Sequence, residues 1–231
     1  MKQSLTGKLL RAVAASRGSI LAPLSSGWQR ERRFIAATRR KTELLLTDPA
    51  ALHLLVCARA ARSVPGEFAE AGVFKGGSAR LICEEKGEKN LHLFDVFAGL
   101  QDPPANGGEE VRAHFGSIHG ELDEVRELLV PYSNVHLYPG IFPETISGLE
   151  ALRFSFVHLD LDLARPTHAA LEYFLPRMMP GGIMLIDDYC ETYLKTVVDD
   201  WFSGRADTLV ELPWSQMMVI RQECGSAGDG E

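Results

Sequence analysis

The stretch that decides the fold spans residues 154–189 and reads FSFVHLDLDLARPTHAALEYFLPRMMPGGIMLIDDY. It contains two apolar runs, FSFVHLDLDL and GIMLIDDY, and each ends in an acidic pair: Asp160 with Asp162, then Asp187 with Asp188. The segment between the runs has the length of one helix and a turn, so the stretch predicts a strand, a helix and a second strand. The acidic pairs then stand at the carboxyl ends of two parallel strands, where open sheets bind their ligands.

Outside this unit, apolar runs typical of strands alternate with segments of helical spacing. Strands are predicted at residues 67–73, 91–97 and 134–140, with helical segments between them. Residues 208–222 hold two strand-like runs on either side of a Pro-Trp pair, which predicts a terminal antiparallel hairpin. We therefore expect an α/β protein with a doubly wound, mostly parallel sheet and right-handed crossovers.

The chain divides into three parts by composition. Residues 1–62 are predicted to form a basic N-terminal arm and helices that act as a cap or lid, and the first 42 residues hold ten Lys or Arg and one acid. Asp48 and Pro49 are expected to break this part into two helices. Residues 63–222 form the predicted core domain, and residues 223–231 are expected to be a disordered tail.

Composition limits the classes of partner. The formal net charge of −7 argues against nucleic acid as the main partner. The chain has no uninterrupted apolar stretch of about 18 residues, so no membrane partner is expected. Its four cysteines show no CxxC spacing, which is typical of reduced thiols in a cytoplasmic protein. We expect a cytoplasmic protein that acts on a small molecule, and a homo-oligomeric state is left open.

A glycine-rich turn follows the first predicted strand and precedes a helix. It reads EAGVFKGGS and includes Glu70, Gly72, Gly76 and Ser78. Glycines let a ligand approach the backbone closely, and the helix start offers free N–H groups. Asp95 ends the next strand, the position where nucleotide-binding sheets bind a ribose diol. The two features together favour ribose binding, although each alone is also typical of a plain turn or a loop cap.

The four aspartates at the two strand ends form the second candidate site. Hard oxygen ligands suit Mg²⁺ or another hard divalent cation. Four carboxylates would repel one another unless a cation or protons neutralised them. Two or three of them can hold a metal, and one left over can act as a general base. The alternative is a set of helix caps and surface acids, but acids at two matching strand ends favour the metal site.

Taken together, these segments resemble one known family, the macrocin-type O-methyltransferases, which use S-adenosylmethionine and a divalent metal. The resemblance spans about Lys41 to Gln222. The matching pieces occur in order and read PGEFAEAGVFKGGSA, LFDVFAGL, GIFPET, FSFVHLDLDL and MMPGGIMLIDDY. The family has a Rossmann-like class I methyltransferase fold, so the resemblance implies a seven-stranded, mostly parallel sheet whose last strand is antiparallel.

The resemblance also implies how the cofactor S-adenosylmethionine is bound. Glu70 and Gly72 match the positions that border its methionine part, and Asp95 matches the acid that binds the ribose hydroxyls. Gly76 and Ser78, in the same turn, complete the predicted cofactor-binding set.

For the acidic residues, the resemblance implies two different roles. Asp160, Asp187 and Asp188 match the ligands of the metal, expected to be Mg²⁺ or another divalent cation. Asp162 matches the acid that acts as general base. The chain is thus predicted to be an O-methyltransferase that acts on a hydroxyl of a sugar or natural product.

Two other functions are compatible with parts of the sequence. A glycosyltransferase also uses a DxD motif after an apolar strand to bind a metal and a nucleotide sugar, but this reading explains neither the glycine-rich turn nor the second acidic pair. A non-catalytic cofactor-binding protein with the same fold is the other alternative, and the intact carboxylate set argues against it.

Overall fold

A computed structural model of the chain describes residues 26–97 and 119–223. The first part of the predicted basic arm and all but the first residue of the predicted tail lie outside the described residues. Within the described ranges, no helix is long and apolar enough to cross a membrane.

The α-helices in the described ranges are α1 (Gln29–Arg39), α2 (Asp48–Ala61), α3 (Gly77–Glu85), α4 (Leu122–Leu129), α5 (Ala164–Phe174) and α6 (Thr192–Phe202). The strands are β1 (Glu67–Ala71), β2 (Leu91–Asp95), β3 (Val135–Pro139), β4 (Phe154–Leu159), β5 (Met178–Ile186), β6 (Thr208–Leu212) and β7 (Gln216–Ile220).

These strands form one seven-stranded sheet in the order β3-β2-β1-β4-β5-β7-β6. Strands β1 to β5 pair in parallel, whereas β7 runs antiparallel to both of its neighbours. The order reverses beside β1, where the chain leaves one half of the sheet and enters the other. This is the topological switch point at which doubly wound sheets bind their ligands. The predicted α/β fold, including its antiparallel last strand, is confirmed.

Alternation along the strands places a hydrophobic core on each face of the sheet. On one face, Phe68 and Phe156 pack with residues of α2, α3 and α4. On the other face, Val157 and Met184 pack with residues of α5 and α6. Every residue of β4 is buried, as expected for a central strand covered by helices on both faces.

The break predicted between α1 and α2 is also confirmed. Thr47 caps α2, because its hydroxyl oxygen accepts a hydrogen bond from the backbone N–H of Ala50 at 3.3 Å, and Pro49 lies in the first turn. Leu54 and Leu55 of α2 are almost fully buried and belong to the same core as β1 and β4. The division at residue 62 and the lid role of the N-terminal part remain predictions.

Strand β5 begins earlier than the sequence pattern predicts. The MMPGG segment reads as a turn, but the strand starts at Met178. The backbone N–H of Gly181 donates to the carbonyl of Arg221, and the N–H of Arg221 donates to the carbonyl of Gly182. These bonds extend the pairing past β7, and Gly181 accommodates a φ of 79° that few other residues adopt.

Candidate functional site

The predicted site residues gather at the carboxyl edge of four adjacent strands. Glu70 lies near the end of β1, and Asp95 is the last residue of β2. Asp160 follows β4 directly, and Asp187 follows β5 directly. Because these strands stand side by side in the order β2-β1-β4-β5, residues far apart in sequence share one edge of the sheet.

Gly72 brings the glycine-rich turn against the end of β4. Its N–H donates to the carbonyl of Phe94 at 2.9 Å, and the N–H of Asp160 donates to the carbonyl of Ala71 at 2.9 Å. At Gly72 φ is 89°, and an added Cβ would lie 1.7 Å from the carbonyl oxygen of Asp160. Only glycine fits there, so the close approach of the turn to the acidic strand end depends on this residue.

We expect Gly72→Ala to destabilise the protein by roughly 2–5 kcal/mol, because it combines left-handed strain with a clash against backbone. Gly148→Ala is the matched control, since Gly148 has a φ of 84° but no atom within 4 Å of an added Cβ. Strain alone should cost the control about 1–2 kcal/mol. Denaturant unfolding measures both variants, and equal losses would contradict the steric argument.

Gly76 and Ser78 lie at the start of α3. Gly76 is the N-cap residue, with a φ of 76°, and an added Cβ there would come within 3.1 Å of the Leu128 side chain. Within the described ranges, no side chain caps this end of the helix by a hydrogen bond. The first N–H groups of a helix have no partner inside it and attract anionic or polar ligand atoms. The start of α3 can therefore contribute backbone donors to a ligand.

The carboxylate of Asp95 organises the turn that faces it. One oxygen accepts hydrogen bonds from the backbone N–H groups of Val73 and Phe74, at 2.6 and 2.9 Å. The other oxygen accepts from the N–H of Phe97 at 2.8 Å. A carboxylate can accept about four hydrogen bonds, so capacity remains for a ligand hydroxyl. Asp95 thus caps a loop and keeps acceptor capacity at the end of β2, so the loop cap and the predicted ribose contact are compatible.

Glu70, His158 and Asp187 form a buried chain of hydrogen bonds. The side chains of Glu70 and His158 are fully buried, and that of Asp187 is nearly so. His158 Nδ1 lies 2.8 Å from Glu70 Oε1, and Nε2 lies 2.6 Å from Asp187 Oδ2. Burial alone lowers the pKa of His158, but the two carboxylates outweigh it and raise that pKa well above its ordinary value.

The second oxygen of Glu70 is a buried acceptor with no partner. Among the described residues, nothing donates a hydrogen bond to Oε2. Burial raises the pKa of the Glu70 carboxyl, although its contact with His158 opposes the rise. Buried polar atoms are nearly always hydrogen-bonded, so an unpartnered one beside a glycine-rich turn fits a ligand that supplies the donor.

The aspartates form two overlapping groups that share Asp160. In one group, the candidate ligand atoms of Asp160, Asp162 and Asp188 all lie within 4.8 Å of one another. In the other, the same limit holds for His158, Asp160 and Asp187. The structure therefore brings all four predicted acids to one place, and Asp162 lies within the same 4.8 Å limit of Asp160 as the predicted ligand Asp188 does.

The backbone between Asp160 and Asp162 is not the extended chain that the sequence predicts. Their spacing of two residues predicts an extended chain with both side chains on one face. Strand β4 instead ends at Leu159, and Asp162 has a left-handed φ of 57°. Asp188 has a similar φ of 55°. Strained backbone of this kind clusters at functional sites. Here it occurs at two of the four acids of the cluster, Asp162 and Asp188.

Crowding changes the ionisation of these acids. Burial, together with the charge of Asp187, raises the pKa of Asp160 well above its ordinary value. Burial and the neighbouring Asp188 raise the pKa of Asp162 to about 7. Burial also raises the pKa of Asp188. Several carboxylates whose ionised forms repel one another form a donor set that a divalent cation fits, because its charge would relieve the repulsion.

The chain of contacts through His158 was not predicted from the sequence. A signal was present in the alternation of β4, since His158 lies two residues before Asp160. Its partner Glu70 could not be found from local pattern, because the pairing of Glu70 with His158 depends on β1 lying next to β4.

Comparisons with known proteins agree with this fold and arrangement. The sequence model described as macrocin-O-methyltransferase (TylF) matches residues 50–218. The 8-demethyl-8-(2,3-dimethoxy-alpha-L-rhamnosyl)-tetracenomycin-C 4'-O-methyltransferase of Streptomyces olivaceus is 32% identical over 168 residues, which cover 66% of this chain and 64% of that protein. The mycinamicin III 3''-O-methyltransferase of Micromonospora griseorubida is 26% identical over 64% of this chain and 66% of its own length. The match thus spans just under two thirds of each relative.

Solved structures show the same fold. The O-methyltransferase NovP superposes with a TM-score of 0.65 at 22% identity, covering 74% of this chain and 79% of its own. The calicheamicin methyltransferase CalS11 also gives a TM-score of 0.65, at 18% identity, and covers 95% of this chain and 94% of its own. At these identities the likeness concerns the fold alone.

Proposed function

The chain belongs to the macrocin O-methyltransferase family, and from that premise we propose that it transfers a methyl group from S-adenosylmethionine to a hydroxyl of a small molecule. We further propose that a divalent cation takes part and that the acceptor is a sugar or another natural product. The observation that carries the proposal is the meeting of a glycine-rich turn, a ribose-type acid and a carboxylate cluster at one sheet edge.

The cofactor would lie along the turn between β1 and α3. Gly72 lets this turn pack against the end of β4, and Ser78 lies in the first turn of α3, whose backbone N–H groups could face the ligand. Glu70 Oε2 offers an unpartnered acceptor for a donor of the methionine part, and Asp95 retains an acceptor site for a ribose hydroxyl. When bound, S-adenosylmethionine supplies an electrophilic methyl group on its sulfonium sulfur.

Asp160, Asp187 and Asp188 would hold the divalent cation. Their oxygens are hard ligands, and burial together with the charge of Asp187 raises the pKa values of Asp160 and Asp188, a cost that a bound cation would relieve. A bound cation would polarise the acceptor oxygen and lower the pKa of its hydroxyl. The acids themselves would fix the orientation of the acceptor relative to the methyl group, which removes part of the barrier.

Asp162 would then take the proton of the acceptor hydroxyl. A neutral hydroxyl is a poor nucleophile, and a carboxylate at hydrogen-bonding distance activates it by removing its proton. In the metal-free protein, burial and Asp188 raise the pKa of Asp162 to about 7, and a general base works best when its pKa lies near the operating pH. The role requires that Asp162 is not needed as a ligand, and three other acids in the cluster remain for that purpose.

Exposed aromatic side chains at the same edge support an acceptor with a broad ring face. Trp214, at the tip of the β6–β7 hairpin, is 52% exposed, and Tyr193 at the start of α6 is 46% exposed. The carbonyl of Ser215 accepts a hydrogen bond from the N–H of Tyr189, which holds the tip beside the acidic pair of β5. The Tyr193 hydroxyl donates to the backbone carbonyl of Asp162 at 3.1 Å. Such faces suit stacking on a sugar or a natural-product ring.

Cofactor binding is the first test of this proposal. We expect Asp95→Asn to weaken the binding of S-adenosylhomocysteine by about 1–3 kcal/mol, because the ribose loses a charged acceptor. Isothermal titration calorimetry measures the change. Asp123→Asn is the control, since Asp123 is an exposed acid of α4 that pairs only with Arg126. Equal affinities for Asp95→Asn and the control would show that the cofactor does not bind at the end of β2.

A further inference from the structure

We infer that His158 is a positioning residue that couples the cofactor side of the site to the cation side, so that a change at Glu70 alters cation affinity. The inference rests on the proposed function, because it takes Glu70 as a cofactor contact and Asp187 as a cation ligand. It goes beyond that function by joining two binding events through one side chain that contacts neither the cofactor nor the cation.

The His158 ring is held by a hydrogen bond on each side. The ring is fully buried between Glu70 and Asp187, and both of its nitrogens are engaged, at 2.8 and 2.6 Å. Glu70 and His158 are direct partners across the β1–β4 pairing, and His158 pairs in the same way with Leu185 of β5. Since Asp187 lies two residues beyond Leu185, alternation puts all three polar side chains on one face of the sheet.

Each carboxylate is anchored through this ring. On one side, His158 Nδ1 lies 2.8 Å from Oε1 of Glu70. On the other side, His158 Nε2 lies 2.6 Å from Oδ2 of Asp187. Ionised carboxylates only accept hydrogen bonds, so both ring nitrogens must carry hydrogen when both acids are ionised.

A change at Glu70 must therefore affect Asp187, and a change at Asp187 must affect Glu70. If Glu70 loses its charge, its bond to Nδ1 weakens and the ring is held less firmly. The ring then orients Asp187 less well, although Glu70 itself would never touch the cation. Groups that hydrogen-bond a metal-ligating carboxylate typically change metal affinity by about 10–100-fold when mutated.

The test compares two acids, only one of which is connected to His158. Mn²⁺, as a probe of the cation site, is titrated into the metal-free protein, and calorimetry measures its binding. We expect Glu70→Gln to weaken Mn²⁺ binding, but by less than the roughly 10–100-fold typical of a group bonded directly to a metal ligand, because Glu70 acts on Asp187 through His158. Asp123→Asn should leave Mn²⁺ affinity unchanged, because Asp123 is an exposed acid of α4 that pairs with Arg126 and not with His158.

A double-mutant cycle separates this coupling from a general loss of structure. His158→Gln keeps an amide that can donate to Asp187 but cannot bridge to Glu70 at the same time, so adding Glu70→Gln to it should change Mn²⁺ affinity no further. An equal effect of Glu70→Gln in both backgrounds would overturn the coupling, even where single variants lose thermal stability. Equal Mn²⁺ affinity for wild type and Glu70→Gln would also overturn it. If the wild type binds neither Mn²⁺ nor S-adenosylhomocysteine, the proposed function itself is overturned.

Discussion

The Asp162→Asn variant is expected to lower kcat on the order of 10²–10⁴-fold while its affinities for cofactor and cation stay near those of the wild type. Asparagine keeps the size of the side chain and removes its basicity. The acceptor hydroxyl would then have no group to take its proton as the methyl group arrives. Steady-state kinetics under conditions where the chemical step limits turnover give kcat, and calorimetry gives the affinities for cofactor and cation.

The Asp162→Asn variant should be at least as stable as the wild type above pH 7, although its kcat falls. The direction of this change in stability follows from the pKa of Asp162. In the folded, metal-free protein that pKa is raised to about 7 from an ordinary value of 3.8. A carboxyl group with a raised pKa contributes stability that is fully present below its unfolded pKa and is lost as the pH rises through the folded pKa. Above pH 7 the ionised Asp162 therefore destabilises the fold, and Asp162→Asn should keep or raise the melting temperature at pH 8.

These two results together separate a base from a structural cap. A residue that only caps the following loop and helix would lower the melting temperature when replaced and leave kcat nearly intact. Asp200→Asn serves as the control, because Asp200 is an exposed acid of α6 outside the cluster, and both quantities should stay at wild-type values. An Asp162→Asn variant with wild-type kcat would show that another group takes the proton.

Removal of divalent cations is expected to abolish turnover, by roughly 10³-fold or more, and Mg²⁺ should restore it. The reason is the carboxylate cluster, whose members Asp160 and Asp188 have raised pKa values because their charges are buried near one another. Cation chemistry at such a site supplies several kcal/mol of the barrier reduction, and each 1.4 kcal/mol is about tenfold in rate.

Asp160→Asn sharpens this test, since Asp160 is the acid shared by both groups of candidate ligands. The variant should need far more Mg²⁺ for turnover, while S-adenosylhomocysteine still binds at the glycine-rich turn. Full activity of chelator-treated wild type, with metal content checked by mass spectrometry, would remove the cation from the mechanism.

The sequence was sufficient to predict the fold because its central strands are strongly patterned. The apolar runs that end in Asp160 and Asp187 predict two parallel strands, and the structure contains both. Parallel strands place their carboxyl ends at one edge, so the meeting of these acids also follows from the sequence. The start of β5 was missed, because Met178 pairs with Phe154 of β4 and the two glycines pair with Arg221 beyond β7, contacts that no local pattern encodes.

The finer geometry of the site could not be predicted for a similar reason. The Glu70–His158 contact depends on β1 lying beside β4, two strands separated by more than 80 residues, and on a register shift in β4 between Phe154 and Phe156. The three backbone donors to Asp95 depend on the path of a turn. Aspartate adopts the left-handed region more often than most residues, but residue type alone does not predict that Asp162 and Asp188 do so.

Calorimetry on the wild-type protein decides whether the carboxyl edge of β1 and β2 is an S-adenosylmethionine site. S-adenosylhomocysteine and a UDP-sugar are titrated separately into the same preparation in the presence of Mg²⁺. We expect saturable binding of S-adenosylhomocysteine and no binding of the UDP-sugar. Binding of the UDP-sugar with no heat from millimolar S-adenosylhomocysteine would rule out the proposed cofactor site and favour a glycosyltransferase.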